Sequence, residues 1–260
     1  MEHILNILLA GWCGDAVGAR LEFRRIQFPS IDVTNAMHFV GESTTDVCIG
    51  QVTDDSEMEM ALLHAIIENG KDEYFPLDII AKKYIEWYNS KPFDIGDTTQ
   101  NALLNATDEI TMMQNASDYN IKSESNGSLM RCAGLAICCW HRSSEIIFSV
   151  TEMEASLTHP SPVIHQITGI YCNLIATMLR NHILGLPQNK PELLKSIITY
   201  ATNTKVKTWV TEGLTLVSLH TYDAIKNCGH VKHVFIMIVY FLNNIEKYTY
   251  EKAILETLMC

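Results

Sequence analysis

Several features are scarce in this chain of 260 residues, and each scarcity narrows the reading. No apolar run approaches the roughly 20 residues that a membrane span needs. The longest, VFIMIVYFL at 234–242, predicts a buried helix, so no membrane partner is expected. Basic residues are few: 19 Lys and Arg stand against 30 Asp and Glu, for a formal net charge of −11. Nucleic-acid binding draws heavily on Lys and Arg contacts to phosphate, and the densest basic spot here is only EFRR at 22–25. No nucleic acid polymer is therefore expected as a partner. A small phosphate-bearing ligand is still allowed, because backbone amides at a helix start bind phosphate without net positive charge. The eight cysteines form no C-x-x-C pair and read as reduced thiols in a core rather than as disulfides or a zinc site. The opening MEHILNILLAGWCGDAVG carries no basic leader, so no signal peptide is expected and the setting is read as intracellular and cytoplasmic.

Strand-like alternation is also scarce, with MHFV at 37–40 the only short candidate. Helical periodicity dominates instead. Met58, Ala61, Leu62, Ala65 and Ile66 fall at i, i+3, i+4, i+7 and i+8, one face of a helix. Ile167, Ile170, Tyr171, Leu174, Ile175, Met178 and Leu179 line one side of a longer helix over 163–179. Further helical patterns run at about 77–88, 129–141, 144–157, 191–201, 206–221, 230–244 and 249–259. Pro, Gly and Asn clusters make short connections between them, and no linker or repeat divides the chain. The expectation is one all-α domain over 1–260.

The stretch GQVTDDSEMEMALLHAII at 50–67 places Thr53, Asp54 and Asp55 directly in front of an apolar-patterned helix. Asp54 as N-cap with Glu57 three residues on resembles a capping box. Against that stands the crowding of Asp54, Asp55, Glu57 and Glu59. Two carboxylates about 4 Å apart repel by roughly 4 kcal/mol at an effective dielectric near 20, more than the ~1 kcal/mol of a cap. A hard cation would relieve that repulsion, and oxygen ligands from Thr and Asp suit Mg²⁺ or Ca²⁺ rather than zinc. Both readings stay open on spacing alone.

Other constellations are individually weak. In GWCGDAVGARLEF (11–23), Gly11, Gly14 and Gly18 leave one side of a helical segment bare, as if for close approach of another backbone. This is not G-x-G-x-x-G, so a dinucleotide fold is not supported. Glu22 follows that helix, as a solvated surface residue or a working carboxylate. In SESNGSLMRCAGLAI (123–137), Asn126-Gly127 makes a turn and Ser128 can cap a helix carrying Leu129, Cys132, Ala133, Ala136 and Ile137. His159 precedes Pro160 ahead of the long helix from near Pro162. DIGDTTQNAL at 94–103 is another loop leading into a helix, and His230 with His233 lacks a third ligand.

Taken in order, GDAVGARLEF, VTDDSEMEMAL, DIGDTTQNAL, NGSLMRCAGLAI and THPSP resemble the ADP-ribosylglycohydrolase family, which includes dinitrogenase reductase-activating glycohydrolase, over nearly the whole chain. The resemblance implies an all-α orthogonal helical bundle with a magnesium site. It implies Mg-assisted cleavage by water of the bond joining ADP-ribose to an acceptor on a protein or small molecule. By matching motif, Thr53, Asp54 and Asp55 would hold Mg²⁺. Glu22 would position or deprotonate water, or contact the distal ribose. Asn126, Gly127, Ser128 and Met130 would line the diphosphate and ribose path, with Gly96 and Thr98 nearby and His159 beside the ADP-ribose. A cation orienting ribose hydroxyls while an oxocarbenium-like centre develops fits that chemistry.

One motif departs from the family. Its second metal segment, of Gly-Asp-x-Asp-Thr type after a C-terminal helix, has no counterpart: the helix YEKAILETLMC reaches Cys260 and no Asp-x-Asp-Thr occurs. The expectation is a domain that lacks this segment, with its Mg²⁺ site incomplete. The alternative to a hydrolase is a non-catalytic protein that binds ADP-ribose or a similar nucleotide, or a structural protein on the same scaffold.

Overall fold

The computed structural model describes residues 2–22, 26, 28–41, 47–70 and 74–260, with side chains from Ile4 onward. Helices account for nearly all the regular structure. The first six are α1 (Glu2–Gly18), α2 (Ser30–Met37), α3 (Asp54–Asn69), α4 (Leu77–Asn89), α5 (Asp97–Leu103) and α6 (Glu109–Asn120). Then come α7 (Ala133–Cys138), α8 (Ser144–Ser156), α9 (Pro162–Ile183), α10 (Lys190–Tyr200), α11 (Thr204–Thr215), α12 (Val231–Asn243) and α13 (Tyr250–Leu258). Among the described residues there is no strand, as the periodicity anticipates. MHFV at 37–40 is a correction: Met37 closes α2, and Phe39 turns the chain with a φ of 54°. A left-handed residue cannot continue a pleated strand.

The chain divides into two compact units. One comprises Met1–Thr53 with Thr208–Cys260. Its small core gathers Val17 and Leu21 with Val33 and Ala36, and Ile254, Leu255 and Leu258 of α13 pack against them. The apolar run at 234–242 lies in α12, where Phe235, Ile236, Val239, Tyr240 and Leu242 are buried. Gly213 allows a close crossing there: a Cβ in its place would sit 2.7 Å from Val239 Cβ and 2.8 Å from the Ile236 carbonyl. The glycines of α1 differ from expectation. Among the described residues nothing lies within 4 Å of a Cβ at Gly11 or Gly18, and only Tyr250 Oη, at 3.9 Å, approaches one at Gly14. Among the described residues no backbone packs into that bare side.

The second unit, Asp54–Lys207, holds α3 to α10. Its core joins Met58, Leu62 and Ala65 of α3 to Ile80, Ala81 and Tyr84 of α4, with Leu103, Met112, Leu135 and Leu157. The helix anticipated over 163–179 runs to 22 residues, with Ile167, Ile170 and Leu174 buried, and α8 and α7 pack against it. The start of α7 is capped from another helix. Cys132 makes no side-chain cap, and the Gly134 amide donates instead to Glu59 Oε1 of α3 at 2.6 Å.

Candidate functional site

Thr53 lies immediately before α3 and is buried. Its amide donates to Asp15 Oδ2 at 2.9 Å and its hydroxyl to Asp15 Oδ1 at 2.7 Å. A hydroxyl that donates to a carboxylate keeps its lone pairs for another partner. Asp54 and Asp55 open α3, Asp54 at 8% exposure and Asp55 half-buried. Glu57 Oε2 accepts from the Trp87 indole of α4 at 2.7 Å, and that carboxylate is taken up between α3 and α4.

The donor set at this helix start suits a hard divalent cation in kind, with two carboxylates and a hydroxyl, all oxygen. Among the described residues, no three or more of His, Cys, Asp and Glu gather into a metal-binding group, so further positions of an octahedral ion would fall to other oxygens. Glu22, beyond the end of α1, is exposed.

The second group of residues lies wholly within Asp54–Lys207. Residues 126–131 are turns: the Leu129 and Met130 amides both return to the Asn126 carbonyl, at 2.8 and 3.0 Å. Ser128 is therefore not a helix cap, a second correction. It is fully buried, with its hydroxyl 3.2 Å from Thr168 Oγ1 of α9. Met130 packs against the core. Gly96 precedes α5 with extended backbone, and Thr98 stands in its first turn. Gly127 is required by what faces it. A Cβ there would meet His159 Cε1 at 2.8 Å, His159 Nε2 at 3.0 Å and Thr99 Oγ1 at 3.2 Å.

His159 is fully buried between two hydroxyls. Its Nδ1 lies 2.7 Å from Thr158 Oγ1 and its Nε2 2.9 Å from Ser125 Oγ. Ser125 continues to Thr98 Oγ1 at 3.1 Å, and Thr98 lies 2.8 Å from Ser123 Oγ. Asn120 ties the ends together, donating to the Thr98 and Thr158 carbonyls at 2.7 and 3.0 Å. Burial, then the charges of Arg131 and His165, hold the His159 imidazole well below its usual range, so it is neutral.

Beneath this row lies a buried charge that the motifs gave no reason to expect. Arg131 and Glu154 are both fully buried, with Arg131 Nε 2.7 Å from Glu154 Oε1. The Tyr84 hydroxyl donates to the same oxygen at 2.7 Å, and the guanidinium lies 4.7 Å from the Tyr84 ring centroid. Burial opposes the Arg131 charge, but Glu154 and Tyr84, with a smaller part from Cys132, together hold it above its usual range. The Tyr84 phenol is pushed well up, by burial first. The other arms of Arg131 reach upward, Nη1 to the Gly127 carbonyl at 3.2 Å and Nη2 to Thr158 Oγ1 at 2.8 Å. Nη1 also lies 3.9 Å from the Met58 sulfur. Met58 is four residues after Asp54 on α3, so the two share a helix face.

The thiols play no part in either group. All eight cysteines are free, and His230 and His233 are used structurally: His230 caps α12, and His233 bonds Tyr222 and the Lys226 carbonyl.

The fold defines an all-α class of protein. The chain belongs to the ADP-ribosylglycohydrolase family, whose description matches residues 1–260. It is 33% identical over 167 residues to the ADP-ribosylarginine hydrolase Tri1 of Pseudomonas putida (strain GB-1), covering 61% of this chain and 42% of that protein. It is 27% identical over 188 residues to the ADP-ribosyl-[dinitrogen reductase] glycohydrolase of Rhodospirillum rubrum, covering 71% of this chain and 58% of that one. The matched region thus spans about half the length of these curated relatives. An ADP-ribosylglycohydrolase-related protein complex shares the fold, with a TM-score of 0.68 at 18% identity over 98% of this chain and 80% of the other. No described helix is long and apolar enough to cross a membrane.

Proposed function

We propose that this chain is an ADP-ribosyl hydrolase, cleaving by water the bond between the anomeric carbon of ADP-ribose and its acceptor. The acceptor is a protein side chain or a small ADP-ribosylated molecule, with ADP-ribosyl-arginine a first candidate because one relative carries that name. One observation carries the reading. Asp54 is a buried carboxylate one helical turn before Met58, and Met58 touches the guanidinium that holds the Gly127 turn. That continuity relates the acidic helix start to the row of hydroxyls within Asp54–Lys207, as a sugar joined to a diphosphate requires.

In this reading Thr53, Asp54 and Asp55 hold Mg²⁺, which when bound supplies positive charge beside the ribose hydroxyls. The backbone of 126–128, together with Thr98, holds the diphosphate and ribose, with His159 beside them positioning Ser125, while Gly96 and Met130 shape the surroundings. Glu22 orients water and takes a proton from it as the water oxygen bonds the anomeric carbon. The bond to the acceptor breaks with its electron pair leaving on the acceptor atom, which collects a proton. The eight free thiols support an intracellular setting.

The test is release of ADP-ribose from ADP-ribosylated arginine and serine substrates, with Mg²⁺ and with chelator, alongside calorimetry with ADP-ribose. Binding with Mg²⁺-dependent release is expected, and Asp54→Ala with Asp55→Ala should abolish release. Binding without release would make the chain a nucleotide-binding protein. Release unaffected by the double change would refute the site.

A further inference from the structure

The hydrogen-bond row around His159 has a direction, and its source is the buried guanidinium. Arg131 has donors only, so Thr158 Oγ1 must accept from Nη2 at 2.8 Å. The single hydroxyl hydrogen of Thr158 is then left for His159 Nδ1, 2.7 Å away. A neutral imidazole that accepts at Nδ1 carries its hydrogen on Nε2, and that hydrogen points to Ser125 Oγ at 2.9 Å. Ser125, now an acceptor, gives its own hydrogen to Thr98 Oγ1 at 3.1 Å. Thr98 in turn gives its hydrogen to Ser123 Oγ at 2.8 Å. Ser123 closes the series by donating back to Ser125 at 3.3 Å, the longest contact of the row and the one most readily exchanged for a ligand oxygen. Ser123, Ser125 and Thr98 are all half-buried, and so within reach of solvent.

We propose that Arg131, acting through Thr158, is a positioning residue that fixes His159 as the Nε2–H tautomer and orients the hydroxyls of Ser125 and Thr98, so that Ser123, last in the series, can turn its hydrogen to an anionic ligand. The ligand half of this statement rests on the ADP-ribose reading above. The arrangement reconciles a neutral histidine with anion recognition: the positive charge stays buried and paired with Glu154, while only its donor polarity reaches the surface. Lysine could not substitute, because three separate nitrogens of the fork are engaged, with Glu154, Gly127 and Thr158.

The experiment is ¹⁵N NMR of the histidine rings near neutral pH, with His159→Gln assigning the signal. Wild type should show the neutral Nε2–H pattern at His159. Thr158→Val and Arg131→Lys should both lose it toward the Nδ1–H form, and Thr158→Ser should restore it. Calorimetry with ADP-ribose should show binding roughly tenfold weaker for Thr158→Val, the equivalent of one hydrogen bond, and little changed for Thr158→Ser. A purely structural role would lower the melting temperature without moving the tautomer. An Nδ1–H or doubly protonated His159 in wild type would overturn the proposal even if the variants fail to fold, as would an unchanged tautomer in Thr158→Val. Absence of ADP-ribose binding in wild type would instead sink the hydrolase reading, and the tautomer would still decide the role of Arg131.

Discussion

Arg131 Nε lies 2.7 Å from Glu154 Oε1 with both side chains fully excluded from solvent, and Tyr84 donates to that same oxygen. The second oxygen, Oε2, is buried and has no hydrogen-bond partner among the described residues. Such a pair is costly to break from one side, because the remaining charge has nowhere to go. Arg131→Met should therefore destabilise the protein by about 3–5 kcal/mol. Adding Glu154→Leu should recover much of that loss. Denaturant unfolding of both singles and the double measures the coupling, and losses that simply add would show there is none.

Two glycines should respond in opposite directions. Gly127→Ala drives a methyl to 2.8 Å from His159 Cε1, and that ring cannot yield because both its nitrogens are engaged. A loss of ~1–3 kcal/mol is expected, together with weaker ADP-ribose binding. Gly11→Ala, inside α1 with nothing described within 4 Å, should instead stabilise by about 0.5–1 kcal/mol. Thermal unfolding separates them, and a destabilised Gly11→Ala would mean that α1 needs its bare side.

The depressed His159 has a pH signature. Burial first, then Arg131 and His165, keep it neutral in the folded state, whereas the unfolded chain protonates it near ~6.5. Below that pH the unfolded state binds the extra proton, so stability falls as pH drops through about 6.5 and is fully present above it. The contribution approaches ~1.4 kcal/mol per pH unit for one proton. His165 is shifted the same way by burial and will leave a slope of its own. Unfolding free energies between pH 7 and 5 should be less steep for His159→Gln than for wild type. Parallel curves would place the proton elsewhere.

Asp15 accepts both hydrogen bonds from Thr53, and so fixes the hydroxyl proposed as a metal oxygen. Partners of this kind typically contribute 10–100-fold to metal affinity. Asp15→Ala should weaken Mg²⁺ binding by roughly that factor in calorimetry, and Asp15→Asn by less. Equal affinities would remove Asp15 from the site.

Helices such as Leu77–Asn89 and Pro162–Ile183 were legible because their apolar residues recur at helical spacing and their flanks carry Pro, Gly or Asn. Ser128 departs from the cap its spacing suggests for a physical reason. Leu129 and Cys132 fit a helical stripe, but residues 126–131 spend their amides on turns, and the helix begins only at Ala133. Burial of Arg131 left no mark in its own neighbourhood. Its partner did leave one: Ile147, Val150, Thr151 and Glu154 fall at i, i+3, i+4 and i+7, which puts a glutamate on the buried stripe of α8. A carboxylate there needs a cation, and NGSLMR supplies one. Asp15 offered no such signal, since nothing local ties it to Thr53 across 38 positions.

The guanidinium draws on Met58, Tyr84, Gly127, Glu154 and Thr158, which come from well-separated parts of the chain. An assembling polypeptide that trapped Arg131 before Glu154 arrived would strand a bare ion in apolar surroundings. Contacts so distant in sequence close late, after long loops have been drawn in. Chains truncated before Glu154 are therefore expected to leave Arg131 without its counter-charge and to be markedly less stable than the full chain.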